Sequence, residues 1–458
     1  MNTFSRIVHS KNSQTALIAL LVATLSLLAA WYISVGSYVI FLILAAIVGL
    51  AILVRWPGFA MTVVYPLFWI FWTYIIPGVG RIERLIGLVG LAGLLMILPR
   101  QRTSLRFPSL WLPIGIFLFL LGYLVAWLFN PNSLASEFVG ITLRVVFLFL
   151  TYFHIRTRSQ ISQAGWLLVL SSLFACTITL VANITLGFGF FRLYGGAQNL
   201  VQRFGIFSHP ALASTLAAST AVLLFTTYSQ AKGKFLRIVV VVLSLFMLWM
   251  AFVSQYRREL LITILILLVY LVLDRRAGIQ RPAWYMLIGS ALFFIFIFLP
   301  NSPVLQDRLA NETIFVIQGT ETRIVSFQAG VKAFLQNPLG YGPGMYASTA
   351  RDLLGSGYYS WQYYSYNVFT SIAVEGGVIS LIGMCILLAT TLRESLRLRA
   401  SVDGSEGWIL RSAPALLIVI LIWFVFGNAI DVSLPWYIIG LILSAIRLAK
   451  ETSMEKLA

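Results

Sequence analysis

Apolar runs of about 15 to 25 residues follow one another along almost the whole chain. A run of this length crosses the roughly 30 Å hydrocarbon core of a bilayer as a helix, because no water is there to satisfy backbone N–H and C=O groups. The runs fall at 15–34, 38–54, 58–77, 84–98, 109–129, 137–154, 163–184, 209–228, 235–252, 259–274, 283–300, 367–391, 410–428 and 433–448. This pattern predicts an all-α integral membrane protein of about fourteen transmembrane helices in one polytopic domain, 1–458. The fourth run is short, and polar residues interrupt the thirteenth and fourteenth. With 60% hydrophobic and 10% charged residues, the chain has far more apolar surface than a soluble core can absorb. The run from Thr15 to Ser34 is too long for the core of a signal peptide, and a second span follows it directly. Cys176 and Cys385 both lie inside apolar runs, with neither disulfide nor metal spacing, and read as small hydrophobes.

The formal net charge of +17 would suggest a nucleic-acid partner in a soluble protein. Its distribution points elsewhere. With the N-terminus in the cytoplasm, the inner segments hold about 21 of the 32 Lys and Arg residues, among them Arg55, Arg100, Arg156, Arg158, Arg397, Arg447 and Lys450. This is the bias of the positive-inside rule. It puts both termini on the cytoplasmic side of the membrane, with the positive charge against anionic lipid headgroups and no call for nucleic acid.

One long hydrophilic segment exists, at 301–366, and the next longest on the outer side is 185–208. Loops this long in a compact protein are usually functional. Inside the first, Ile324, Phe327, Val331 and Phe334 recur at helical spacing between Arg323, Gln328 and Lys332, which predicts an amphipathic helix on the outer membrane surface. Asn337-Pro338 stops it, and Leu339-Gly340-Tyr341-Gly342-Pro343-Gly344 calls for unusual backbone angles. An aromatic cluster follows, Tyr358 to Tyr366, suited to an interfacial belt and to stacking on sugars. The inner loops are short and carry no P-loop.

Arginine is the side chain best matched to phosphate, being planar, permanently charged and able to bind bidentately. On the outer side, Arg192 and Arg203 flank Tyr194-Gly195-Gly196, Arg257 and Arg258 share a tight hairpin, Arg81 and Arg84 open the fourth span, and Arg323 lies in the long loop. Arginines converging there would form a site for an anionic group such as a lipid-linked diphosphate, whereas isolated ones at span ends would simply snorkel to headgroups. Arg144 lies within a span and should face the bundle. His209 precedes Pro210 at the start of a span, where it serves either as a helix-start residue or as a catalytic group.

Four stretches together resemble the O-antigen ligase and O-antigen polymerase superfamily. They are Arg203 to Pro210, Tyr256-Arg257-Arg258, Arg323 through Asn337-Pro338-Leu339-Gly340-Tyr341-Gly342-Pro343-Gly344, and Tyr366-Asn367-Val368-Phe369 running to Glu375-Gly376-Gly377. The resemblance covers about 203–377. It implies a metal-independent glycosyltransferase without cofactor that moves a glycan from an undecaprenyl-diphosphate carrier to an acceptor glycan or lipid on the periplasmic face. An acceptor hydroxyl would attack the anomeric carbon and the lipid diphosphate would leave. Arg203 and Arg257 would stabilise the leaving charge, with Arg258 beside them. Arg192, His209, Arg323, Tyr341 and Glu375 are the further substrate-binding candidates. The family often has a histidine, its proposed base, where this chain has Tyr366. Tyrosine, with a reference pKa near 10, is a poor base at neutral pH, which leaves Tyr366 as an acceptor-positioning group or passes the base role to Glu375 or His209. A transporter or flippase of lipid-linked sugars is the competing reading. It calls for polar residues at mid-membrane and on both faces, whereas the polar specialisation here is one-sided.

The charge asymmetry makes a topological prediction. A reporter fused at Gly355 should be active in the periplasm and one fused at Ser401 in the cytoplasm; the opposite pair of results removes the outer-face assignment.

Overall fold

The computed structural model describes residues 56, 58–69, scattered positions from 75 to 94, 107–130, 132–185, 210–227, 233–253, three positions between 289 and 296, 312–355, 365–398, 407–427 and 432–455. Arg84, Arg192, Arg203, His209, Arg257, Arg258 and the aromatic cluster from Tyr358 to Tyr364 lie outside the described residues.

Apart from one two-residue ladder, the described elements are helices. A π-turn at Ala60–Val64 leads into α1 (Tyr65–Phe68). A short hairpin, β1 (Ile75–Ile76) and β2 (Gly80–Arg81), pairs Ile75 with Arg81. Then come α2 (Trp111–Phe129), α3 (Ala135–His154), α4 (Arg158–Thr185), α5 (Pro210–Thr227) and α6 (Lys234–Val253). They are followed by α7 (Glu312–Gln336), α8 (Tyr346–Leu354), α9 (Val368–Leu398), α10 (Gly407–Phe426) and α11 (Ser433–Glu455). Seven of these helices (α2, α3, α4, α6, α9, α10 and α11) are long and apolar enough to cross a membrane. The chain is therefore a helical membrane protein.

Helix ends follow local chemistry. Asn130 ends α2 just before Pro131, as a residue preceding proline favours extended backbone. At α4, Gln160 N–H donates to Thr157 Oγ1 (3.2 Å) and Gln160 Oε1 accepts from the N–H of Arg156 and Thr157 (2.7 and 3.1 Å), which is a capping box. Asn367 Oδ1 caps α9 by accepting from Phe369 N–H and Thr370 N–H (2.8 and 3.1 Å).

The bundle is held by backbones brought close at small residues. Along α2 and α9, a Cβ at Gly115 would meet Leu387 N, one at Gly122 would overlap Ser380, and one at Gly383 would overlap Phe119 N. Ser380 Oγ donates across this seam to Phe119 O (2.7 Å). Lipid tails are as apolar as leucine, so helix association in a membrane relies on this close packing and on interhelical hydrogen bonds. The same holds between α3 and α11, where Gly440 lies against Leu148 and Ser444 Oγ donates to Thr151 O (3.3 Å).

The two runs that polar residues interrupt are the most enclosed spans of the structure. Helix α11 is the least apolar of the seven and the most buried, with α10 next in burial. Tyr65 and Tyr437 stack at 4.4 Å beside it, with Tyr65 hydroxyl on Ser433 (2.6 Å) and Tyr437 hydroxyl donating to Met61 O (2.8 Å). A helix surrounded by protein can carry serine and tyrosine because its neighbours satisfy them.

One end of the bundle is basic. Lys450 pairs with Glu394 at 2.6 Å and donates to Pro108 O at 2.7 Å, and Arg447 donates to Ile155 O at 2.6 Å while stacking over Tyr152. The 130s, the 338–344 turn and Tyr366 gather at the opposite end, called here the loop end. Arg144 is half-buried in α3, and its guanidinium lies over Gly140, one turn nearer the loop end.

The α2–α9 seam carries a stability prediction. Gly383→Leu should destabilise the protein by about 3 kcal/mol or more, the upper range for overpacking, read as a lower Tm in detergent. Exposed Leu396→Ala should leave Tm within about 1 kcal/mol equivalent.

Candidate functional site

The long loop holds two helices and a turn, and the turn explains the site's geometry. Helix α7 ends where Asn337 N–H donates to Ala333 O (3.0 Å), and Gly340 N–H closes a turn on Asn337 O (3.0 Å). Asn337 Nδ2 and Asn130 Nδ2 then both donate to Gly340 O, at 2.8 and 3.1 Å. Asn130 also donates to Ala126 O (2.8 Å), so it ties the end of α2 to the turn.

Helix α9 is broken where this turn meets it. Gly377 adopts φ 70°, ψ −172°, outside any helical region. The break releases backbone groups, and the turn takes them up: Tyr341 N–H donates to Val374 O (2.7 Å), Gly342 N–H to Glu375 O (3.0 Å), and Val378 N–H to Pro338 O (2.8 Å). The approach is backbone to backbone. A Cβ on Gly340 would meet Glu375 O and Gly377 N, and one on Gly377 would overlap Leu339. Gly340 and Gly342 both hold positive φ, at 94° and 96°, which only glycine adopts without strain. Pro343 O accepts from Leu134 N–H (3.1 Å), which fastens the start of α3 to the same turn.

Glu375 is buried, and its Oε1 faces Tyr346 N–H at 3.4 Å, the first residue of α8. A carboxylate there complements the positive end of the helix dipole. Tyr341 is held through its backbone, and its side chain packs half-buried on the α7–α8 cluster. Tyr346 lies across the site with its hydroxyl donating to Ser326 O (2.7 Å) beside Ser326 Oγ (3.1 Å). Burial pushes this phenol above the usual tyrosine range and Glu375 pushes the same way, against the hydroxyls of Ser326, Ser365 and Thr370. It therefore stays a protonated donor.

Above this layer the structure brings Arg323 and Tyr366 together, with the Arg323 Cζ 5.9 Å from the centre of the Tyr366 ring, at the outer limit of a cation–π contact. Ser365 fixes the corner that carries Tyr366 by donating to Asn367 O (2.7 Å). Glu375 lies nine residues beyond Tyr366, within α9, where its carbonyl accepts from Gly342 N–H of the turn.

A helix does run through the segment from Arg323 onward; it begins at Glu312, and the face it packs against protein is not its apolar stripe. Ser326, Ala329 and Ala333 are buried against Tyr346, while Ile324, Phe327, Val331 and Leu335 are exposed. Small residues let α7 approach α8 and α9 closely, which leaves the large apolar side chains turned outward, as they are on lipid-facing helices.

Asn130, Ser326, Tyr346 and Ser365 were not singled out by sequence. The signal for Asn130 was an asparagine between the end of an apolar run and a proline, a stop signal whose amide could also reach another segment. The hydroxyl cluster left no sequence signal, since its members come from three separate elements. No protein-family model matches the chain, and no curated protein matches it.

Gly377 and Gly355 share nearly the same backbone conformation, but nothing lies within 4 Å of a Cβ built on Gly355 (φ 79°). Gly355→Ala should then cost only the conformational strain, about 1–3 kcal/mol. Gly377→Ala should cost clearly more, because it also pushes Leu339 off the break. Equal losses in Tm would mean that the turn does not seal the helix.

Proposed function

We propose that this chain is a glycan polymerase or ligase of the O-antigen type. On this reading it has about fourteen spans and cytoplasmic termini, and its site opens to the periplasmic face of the inner membrane. The observation that carries the proposal is the meeting of two of the four family-like stretches at one end of the bundle. The Arg323–Gly344 stretch and the Tyr366–Gly377 stretch are joined by the turn at the α9 break and by the Arg323–Tyr366 contact. Segments about forty residues apart in sequence are thereby held at one place, as a reaction centre requires.

The chemistry is a displacement at the anomeric carbon. The acceptor oxygen forms the new glycosidic bond, the bond to the diphosphate oxygen breaks, and the acceptor proton leaves. Arg203 and Arg257, with Arg258 beside them, stabilise the charge on the departing lipid diphosphate, the largest single contribution available to such a reaction. Tyr366 orients the acceptor hydroxyl, and Arg323 holds the ring and adds positive charge at the mouth. Arg192, His209 and Tyr341 complete the substrate contacts. Glu375 serves by holding the turn and α8, since its carboxylate faces the α8 backbone.

A carrier of lipid-linked sugars would also use a broken helix, whose freed carbonyls coordinate cargo. Here the carbonyls of Val374 and Glu375 already accept from Tyr341 and Gly342. The break is a joint between segments and not a vacant cradle, which favours transfer over transport.

Transfer from a polyprenyl-diphosphate oligosaccharide in vesicles provides the test. Arg203→Ala and Arg257→Ala should each lower the rate by about a hundredfold or more, with donor still present in the membrane. Tyr366→Phe should lower it by only about 0.5–1.5 kcal/mol, the worth of one neutral hydrogen bond. Full transfer by both arginine variants would sink the proposal; a hundredfold loss in Tyr366→Phe would make the tyrosine a base instead of a positioning group.

A further inference from the structure

At the basic end, three arginines from two chain segments crowd into one corner. Arg447 donates to Ile155 O at 2.6 Å, Arg156 Nε donates to Phe153 O at 2.8 Å, and Arg158 donates to Thr452 Oγ1 at 2.6 Å. The Ile155–Arg158 and Arg447–Thr452 segments therefore run side by side with their cations in a single strip. Glu451, half-exposed, lies 3.8 Å from Arg447 Nε. Lys450 lies outside the strip, taken up by Glu394 and Pro108 O. Burial and then the neighbouring Arg447 charge push the Arg156 guanidinium below the usual arginine range, and Glu451 opposes them without cancelling them. The N-terminus of α4 does not supply the site, since Thr157 and Gln160 already cap it.

The surface below the strip identifies what fits it. Trp166, Leu170 and Phe174 are exposed at four-residue spacing along α4 and form one apolar stripe on the same helix that Arg158 opens. Trp166 lies eight residues from Arg158, about 12 Å at 1.5 Å per residue. A second tryptophan, Trp56, is exposed at this end of the bundle, where Gly58 packs on Gln160 and on His154 O. Tryptophan at that depth marks the headgroup boundary. A phosphate above an apolar stripe is the layout of a phospholipid.

We propose that Arg156, Arg158 and Arg447 form a binding site for the phosphate of an anionic phospholipid whose acyl chains lie along the Trp166–Leu170–Phe174 face of α4. Arginine suits the role because its planar fork takes phosphate oxygens bidentately. The site is separate from the loop end and does not depend on the glycosyl-transfer reading.

Native mass spectrometry of the intact protein in neutral detergent, titrated with phosphatidylglycerol or phosphatidylcholine, tests this. Wild type should retain phosphatidylglycerol selectively. Arg156→Gln/Arg158→Gln should bind it about tenfold or more weakly, from roughly 1 kcal/mol per arginine near the headgroups. The exposed Arg158→Gln single variant, which leaves the Arg156 and Arg447 carbonyl contacts intact, should show a smaller loss in the same direction even if the double variant folds poorly. Arg393→Gln/Arg397→Gln, equal in charge and exposed on α9, should retain the lipid. Undiminished binding by Arg158→Gln, or equal loss in the α9 control, overturns the site. Competition by millimolar inorganic phosphate as effective as lipid overturns the assignment to phospholipid and leaves a free-phosphate site.

Discussion

Backbone hydrogen bonding at the α9 break is the constraint on which the rest of the loop end depends. An unsatisfied N–H or C=O in an apolar surround costs several kcal/mol, so a helix can open inside a membrane protein only where another segment replaces its lost bonds. The 338–344 turn does this with three main-chain bonds, between Tyr341 and Val374, Gly342 and Glu375, and Val378 and Pro338. Everything nearby then follows from keeping that turn in place. Its glycines supply positive φ and allow backbone contact, Asn337 and Asn130 hold the Gly340 carbonyl, and Glu375 receives the start of α8. The Arg323–Tyr366 pair is a consequence, because α7 enters the turn and the corner just before α9 carries its partner.

Close approach elsewhere in the bundle uses the same economy of side chains. Gly115, Gly122 and Gly383 let α2 and α9 touch at their backbones, and Ser380 donates across the seam. The seam ends at Asn130, where α2 hands over to the turn, so membrane packing and loop geometry form one continuous structure. At the far end the contacts change character: the Lys450–Glu394 pair, the Lys450 bond to Pro108 O and the Arg447 bond to Ile155 O tie α11 to α9, to the segment before α2 and to the end of α3. Apolar packing grips the middle, and charge-assisted bonds close the basic end.

Several features were legible in the sequence for direct physical reasons. Helix period and apolar length marked α2, α3, α4, α6, α9, α10 and α11, because lipid imposes one solution on an apolar run of about twenty residues. Pro338 and the glycines announced the turn. Burial order was harder to read, since hydropathy reports contact with lipid and falls for a helix enclosed by protein; α11 is the case in point. The protein-facing side of α7 was not legible, because the small residues Ser326, Ala329 and Ala333 make the contact and carry no apolar period. Glu375 read as a possible base, and only the tertiary structure puts its carboxylate opposite the first N–H of α8.

By itself, the sequence determined that this chain lives in a membrane as helices and that a glycine-rich turn follows Asn337-Pro338 in a polar stretch. Those properties are local: each comes from the solvation of a short stretch or the conformational range of a single residue. The tertiary structure decided that the turn inserts into a helix about thirty-five residues further on, that Arg323 meets Tyr366, and that Arg156, Arg158 and Arg447 share one corner. None of these is written in a local pattern. Each depends on which backbone groups are left unpaired after the spans have packed, and that is settled only when all the spans are in place.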